Sequence, residues 1–242
     1  MSSFKRQIIS AMVRIIIAVL MGLFILAVAS LIMMSIDNLL ILSQSKPWIG
    51  PFINHTTMMA ISIIVMLILS KGKISIYGFK IGENVQLKQI ALVSLGIGII
   101  GALIQSSLPG KSLAFIEKYS FLQVVMFIWI YASICEEVLT RGLIQGYLMP
   151  LTKYGFAVFK LRISVPVLVS ALFFASMHIM LLTMGIATFT VITIVLFALI
   201  LGIIAGYHRE KTGSIIPAII VHILFNLGGS FTGFIIGLLR GN

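Results

Sequence analysis

The sequence predicts an all-α, polytopic membrane helix bundle of about eight transmembrane helices, with the N-terminus and the C-terminus both cytoplasmic. Of its 242 residues 60% are hydrophobic and 10% charged, and the mean hydropathy is +1.18. Soluble domains average about 45–50% apolar and about 25% charged residues. The apolar residues gather in runs, most of which approach or exceed the roughly 20 residues needed to cross a bilayer core, the last two being short. The 17 Lys and Arg residues fall in short groups between those runs. That is how topology signals are distributed, so the net charge of +11 reads as orientation and not as a nucleic-acid surface.

Apolar runs lie at about 10–34, 53–70, 89–108, 121–149, 164–182, 185–206, 214–227 and 230–239, separated by Gly, Pro, Ser and charged clusters. The first follows Lys5, Arg6 and Arg14, lacks a small-residue cleavage pattern, and is expected to be retained as a helix. Alternating the runs from a cytoplasmic start puts 13 of the basic residues inside. Only Lys46, Lys111 and Lys118 fall outside, with Arg141 left apart as a residue within a span. Segment 71–88 reads as a cytoplasmic connector lying at the interface. The chain is expected to form a single integral membrane domain over 1–242, in the cell membrane, with the chemistry in a core at about 120–230. Cys135 is the only cysteine, so helix packing alone must hold the fold.

Only six acidic residues are present, and two of them are adjacent, at Glu136 and Glu137. Charges at bilayer depth are costly, face the protein interior and tend to mark function. On a helix Glu137 and Arg141 are i and i+4 with the acid on the N-terminal side, the favourable order for an ion pair. Glu136 points roughly 100° away around the helix and is left to face a cavity or another span. Phe174 and His178 are also i and i+4, as are His222 and Asn226, each pair on its own apolar run. A buried carboxylate with an imidazole beside it can activate water as a general base. A second imidazole and an amide can stabilise the oxyanion of an attacked peptide carbonyl.

Single polar groups inside spans also serve as hydrogen bonds between helices, and His178, His222 and Asn226 taken one at a time admit that reading. The glutamate pair does not reduce to it, because one arginine needs one carboxylate. Cys135 reads as a small apolar filler, His208 as a neighbour of loop charges, and His55, beside Asn54, as a residue at a span end.

Taken together, Glu136-Glu137-x-x-x-Arg141, Phe174-x-x-x-His178 and His222-x-x-x-Asn226, in this order on separate apolar helices, resemble the signature of the CPBP family of intramembrane proteases. That family includes type II CAAX prenyl endopeptidases and bacteriocin-processing or self-immunity proteins. The resemblance covers roughly 120–230 and implies an eight-helix membrane endopeptidase. In it Glu136 with His178 activates water, and His222 with Asn226 stabilises the oxyanion; Glu137, Arg141 and Phe174 support the site. It also implies a substrate that is a membrane-embedded or lipidated peptide or protein, met in the lipid bilayer.

No metal or other cofactor is expected, since a His-Glu-x-x-His element is missing and asparagine is a poor zinc ligand; zinc at the same residues is the alternative. A non-enzymatic transporter, scaffold or bacteriocin-immunity protein is the other competing class. A serine mechanism built on Gly-x-Ser-Gly and an aspartyl mechanism built on two membrane aspartates are both excluded, Asp37 being the sole aspartate. One tension remains in the sequence reading. With straight helices and these boundaries Glu136 and His178 miss each other in depth by more than about 10 Å, so spans four and five are expected to shift or tilt.

Overall fold

The structure is a computed structural model and describes residues 3–40, 46–83, 85–107, 119–158 and 161–240; Lys111, Lys118 and Lys160, three of the cations used for topology, lie outside them. The apolar runs form α1 (Ser3–Leu40), α2 (Ile49–Leu69), α3 (Leu87–Ser107), α4 (Phe121–Leu151), α5 (Val165–Met177), α6 (Thr188–Thr212) and α7 (Ile216–Arg240). Tighter turns over His178–Met184 extend α5. Among the described residues these are seven helices long and apolar enough to cross a membrane. Their outer faces are apolar too, with Phe24, Ile68, Leu92, Phe189 and Leu239 exposed. Burying apolar surface therefore gains little inside lipid, and association rests on close packing and polar ties.

The expected count of about eight is corrected by α7, which absorbs both of the last two apolar runs. It passes through Gly228-Gly229-Ser230 without a break. The reason is packing: a Cβ on Gly228 would lie 2.6 Å from the Leu95 carbonyl oxygen, and one on Gly98 would lie 2.2 Å from that of Phe225. The glycines let α3 and α7 meet backbone to backbone, and in lipid no water competes for the hydrogen bonds of the helix they sit in.

Helix α4 runs between two apolar clusters. One joins it to α1 and α2 through Leu139, Leu143, Ile25 and Met66; the other joins α3, α5, α6 and α7 through Ile90, Phe174, Leu201 and Val221. A reciprocal Ser120–Gln123 capping box starts α4. The helix then widens to i→i+5 turns over Val124–Ala132, returns to α-helix over Ser133–Glu137, and widens again over Val138–Ile144. Side-chain hydroxyls supply a cause: Ser133 donates to the Trp129 carbonyl and Thr140 to that of Glu136, each at 2.6 Å. Both carbonyls are i−4 acceptors that the backbone N–H otherwise uses.

The depth mismatch is resolved at the other end of α4. Its 31 residues extend about 46 Å at about 1.5 Å per residue, so its outer end tilts or projects beyond the core. Counted from the connection that α4 shares with α5, Glu136 lies about 18 Å from Leu148 and His178 about 20 Å from Val165, at matching depth. That connection holds an antiparallel hairpin, Gly155–Val158 with Leu161–Ser164. Ser164 caps α5 by accepting from the Val167 N–H and donates its own hydroxyl to Glu210 of α6.

The connector after α2 is tucked into the bundle instead of lying along the interface. Tyr77 is buried against Gly146, and burial pushes its phenol pKa up. Gly78, at φ +92°, comes so close to Arg209 that a Cβ would lie 2.6 Å from Nε. Its carbonyl accepts from the Ile215 N–H, and that of Lys80 accepts from the Ser214 hydroxyl. His208 and Arg209, read from sequence as loop charges, are accordingly buried at the end of α6.

Candidate active site

Glu137 and Arg141 stand one turn apart with fully buried side chains. Arg141 Nη1 donates to Glu137 Oε1 at 3.0 Å and to Thr140 Oγ1 at 2.6 Å. The guanidinium lies over the Phe174 ring, 4.8 Å from its centroid, a cation–π contact that offsets the missing partners of Nε and Nη2 among the described residues. Room for it is left by Gly202 of α6, where a Cβ would lie 3.0 Å from Nη2. The same Glu137 oxygen accepts from His222 Nδ1 at 2.9 Å. Glu137 Oε1 is thus committed to an arginine and a histidine, while Oε2 is buried with no hydrogen-bond partner among the described residues.

Glu136 has a different setting. Its side chain is 18% exposed, Oε1 lies 3.3 Å from His55 Nε2, and Oε2 lies 3.7 Å from His222 Nε2. The second distance is too long for a hydrogen bond, so that oxygen is not engaged by the imidazole. His178, at the end of α5, lies within electrostatic range of both Glu136 and His222. The edge-to-face contacts of Phe174 with His178 and His222, at 5.0 and 5.3 Å, place one ring between the two imidazoles.

The three imidazoles are held in one fashion. His55 Nδ1 contacts the Pro51 carbonyl at 2.7 Å, His178 Nδ1 the Phe174 carbonyl at 3.1 Å, and His222 Nδ1 the Glu137 carboxylate. Carbonyls and carboxylates only accept, so each Nδ1 carries the proton it donates and each Nε2 is left for the site. Asn226, one turn beyond His222, donates from Nδ2 to Ser133 Oγ at 3.1 Å, and Ser133 stands one turn before Glu137.

All seven residues singled out from the sequence, Glu136, Glu137, Arg141, Phe174, His178, His222 and Asn226, therefore gather around α4. His55 joins them although its place at a span end had suggested a residue without a role there. The signal was present: only four histidines exist in the chain, and Asn54-His55-Thr56-Thr57 is a polar stretch inside an apolar run. Ser133 and Thr140 also went unremarked, because their contacts depend on turns that periodicity does not reveal. As for zinc, among the described residues no group of three or more His, Cys, Asp or Glu side chains is placed to hold a metal ion.

Comparison with known families adds an independent finding. Residues 118–228 match the family model described as type II CAAX prenyl endopeptidase Rce1-like. No curated protein and no solved structure matches the chain. The matched family is one of CAAX-type intramembrane endopeptidases, and a bundle of apolar helices with its charges enclosed is the setting such an activity requires. The segment that carries Glu136, Glu137, Arg141, Phe174, His178, His222 and Asn226 is thus the one that is similar to the Rce1-like type II CAAX prenyl endopeptidase family.

Proposed function

We propose that this protein is an intramembrane glutamic endopeptidase that hydrolyses a peptide bond of a membrane-embedded or lipidated peptide or protein, with Glu136 as general base. The observation that carries this reading is the asymmetry of the glutamate pair. Glu137 is fully buried and held by Arg141 and His222, whereas the Glu136 side chain is 18% exposed and, among the described residues, its Oε2 accepts no hydrogen bond. In the reaction Glu136, with His178 beside it, takes a proton from water as the water oxygen bonds to the peptide carbonyl carbon. His222 Nε2 and the Asn226 amide donate to the oxyanion that forms. Collapse of that intermediate breaks the C–N bond, and the proton held by Glu136 passes to the departing amine.

No metal takes part in this reading. His222 acts as a donor with Nδ1–H bound by Glu137, which requires the doubly protonated ring while the oxyanion is present. The basic loops support a cytoplasmic N-terminus and a place in the cell membrane. Seven crossings would then leave the end of α7 on the opposite side, so the expectation of a cytoplasmic C-terminus is not carried into the proposal. The test is cleavage by protein purified in lipid nanodiscs of a farnesylated Cys-aliphatic-aliphatic-X peptide in ¹⁸O-water. One ¹⁸O atom entering the new carboxylate is expected; an intact peptide, together with intact unprenylated and bacteriocin-leader peptides, would count against the enzyme reading.

A further inference from the structure

His55 lies on α2, outside the segment that matches the family, and yet its Nε2 is within hydrogen-bonding distance of Glu136 Oε1, at 3.3 Å. The approach is built by α2–α4 packing. One residue on, the Thr56 hydroxyl donates to the Phe52 carbonyl, so the Tyr131 hydroxyl at 2.6 Å must donate to Thr56. A turn further Met59 Sδ meets Cys135 Sγ at 3.7 Å. Tyr131 and Cys135 come from the turn of α4 that leads into Glu136, so these contacts fix the rotation of α2 relative to the carboxylate.

The tautomer follows from the other side of the ring. Because Nδ1–H is donated to the Pro51 carbonyl at 2.7 Å, Nε2 faces Glu136 Oε1 favourably only with a proton between them. A base must be ionised, so that proton resides on the imidazole, and it ties Oε1 to α2.

We propose that His55 is a positioning residue for Glu136: it holds Oε1 through a shared proton and so presents Oε2 as the oxygen that takes the proton from water. This rests on Glu136 being the base. It also gives α2, which carries none of the three motifs, a part in the reaction. Groups that orient a reacting or ligating side chain are worth about 10–100-fold when lost.

The test is steady-state cleavage of the farnesylated peptide by His55→Phe, His55→Gln and Glu136→Gln, with folding of each checked by thermal unfolding. His55→Phe should lower kcat about 10–100-fold with KM nearly unchanged, the pattern of an interaction lost after substrate is bound. His55→Gln keeps an N–H near the Nε2 position and should recover most of that loss. Parental kcat in His55→Phe, a raised KM with kcat intact, or a Gln variant as impaired as Phe would each overturn the proposal.

Glu136→Gln separates the two levels of inference. An active Glu136→Gln removes the base reading itself, whereas an inactive one beside a fully active His55→Phe removes only the role of His55. Should His55→Phe fail to fold, ¹⁵N-histidine spectra of the parent decide. The His55 Nε2 resonance, assigned by its loss in His55→Gln, must move in Glu136→Gln, and an unmoved resonance would overturn the contact.

Discussion

Glu136 and Glu137 are neighbours in sequence with opposite surroundings, and Arg141 is what separates them. Replacing Arg141 by Ala leaves the fully buried Glu137 carboxylate without its ion-pair partner, held by His222 alone. We expect a loss of about 3–5 kcal/mol of stability, the usual result of removing one member of a buried pair, visible as a lowered unfolding temperature in detergent. An Arg141→Ala protein as stable as the parent and yet inactive would give the arginine a direct part in the chemistry. The donor set also bears on metal: purified protein should carry no stoichiometric zinc and should keep cleaving after exhaustive chelation. One tightly held zinc whose removal and return switch activity off and on would contradict this. The i,i+4 pairs were legible in the sequence because helical spacing sets them locally. His55 was not, because its meeting with Glu136 spans 81 positions and depends on how α2 docks.

At the scale of elements, the helices themselves were legible from apolar runs, whereas their joins were not. Gly228-Gly229-Ser230 carries the composition of a turn, and only the approach of α3 shows it to be a packing surface. We therefore expect Gly98→Val to disrupt the α3–α7 contact and to destabilise the protein by roughly 1–3 kcal/mol, since the displaced atom is a backbone carbonyl that cannot move aside. Unchanged thermal stability of Gly98→Val would show that the two helices do not meet there. The wide turns of α4 were equally hidden. Ser133 and Thr140 look like ordinary small polar residues until their hydroxyls are seen to occupy the i−4 carbonyls of Trp129 and Glu136. Wide turns of this kind recur at functional sites in helices, and here they flank the short α-helical stretch that carries both carboxylates.

For the molecule as a whole, the bundle encloses a small polar set inside apolar walls, and its orientation decides from which side substrate arrives. Basic loops predict that a cysteine at Lys46 is labelled from outside by an impermeant maleimide and that one at Lys211 is labelled only after permeabilisation, both in a Cys135→Ala background. The reverse pattern would invert the topology. Neither labelling reports whether the enclosed site does chemistry, and one comparison tests that most directly. Purified Glu136→Gln, which keeps the size of the side chain and removes its basicity, should retain the parental unfolding temperature while losing peptide hydrolysis by at least about 10²–10⁴-fold, the range that general-base catalysis supplies. Turnover of the farnesylated peptide by folded Glu136→Gln at the parental rate would contradict the assignment of Glu136 as the base.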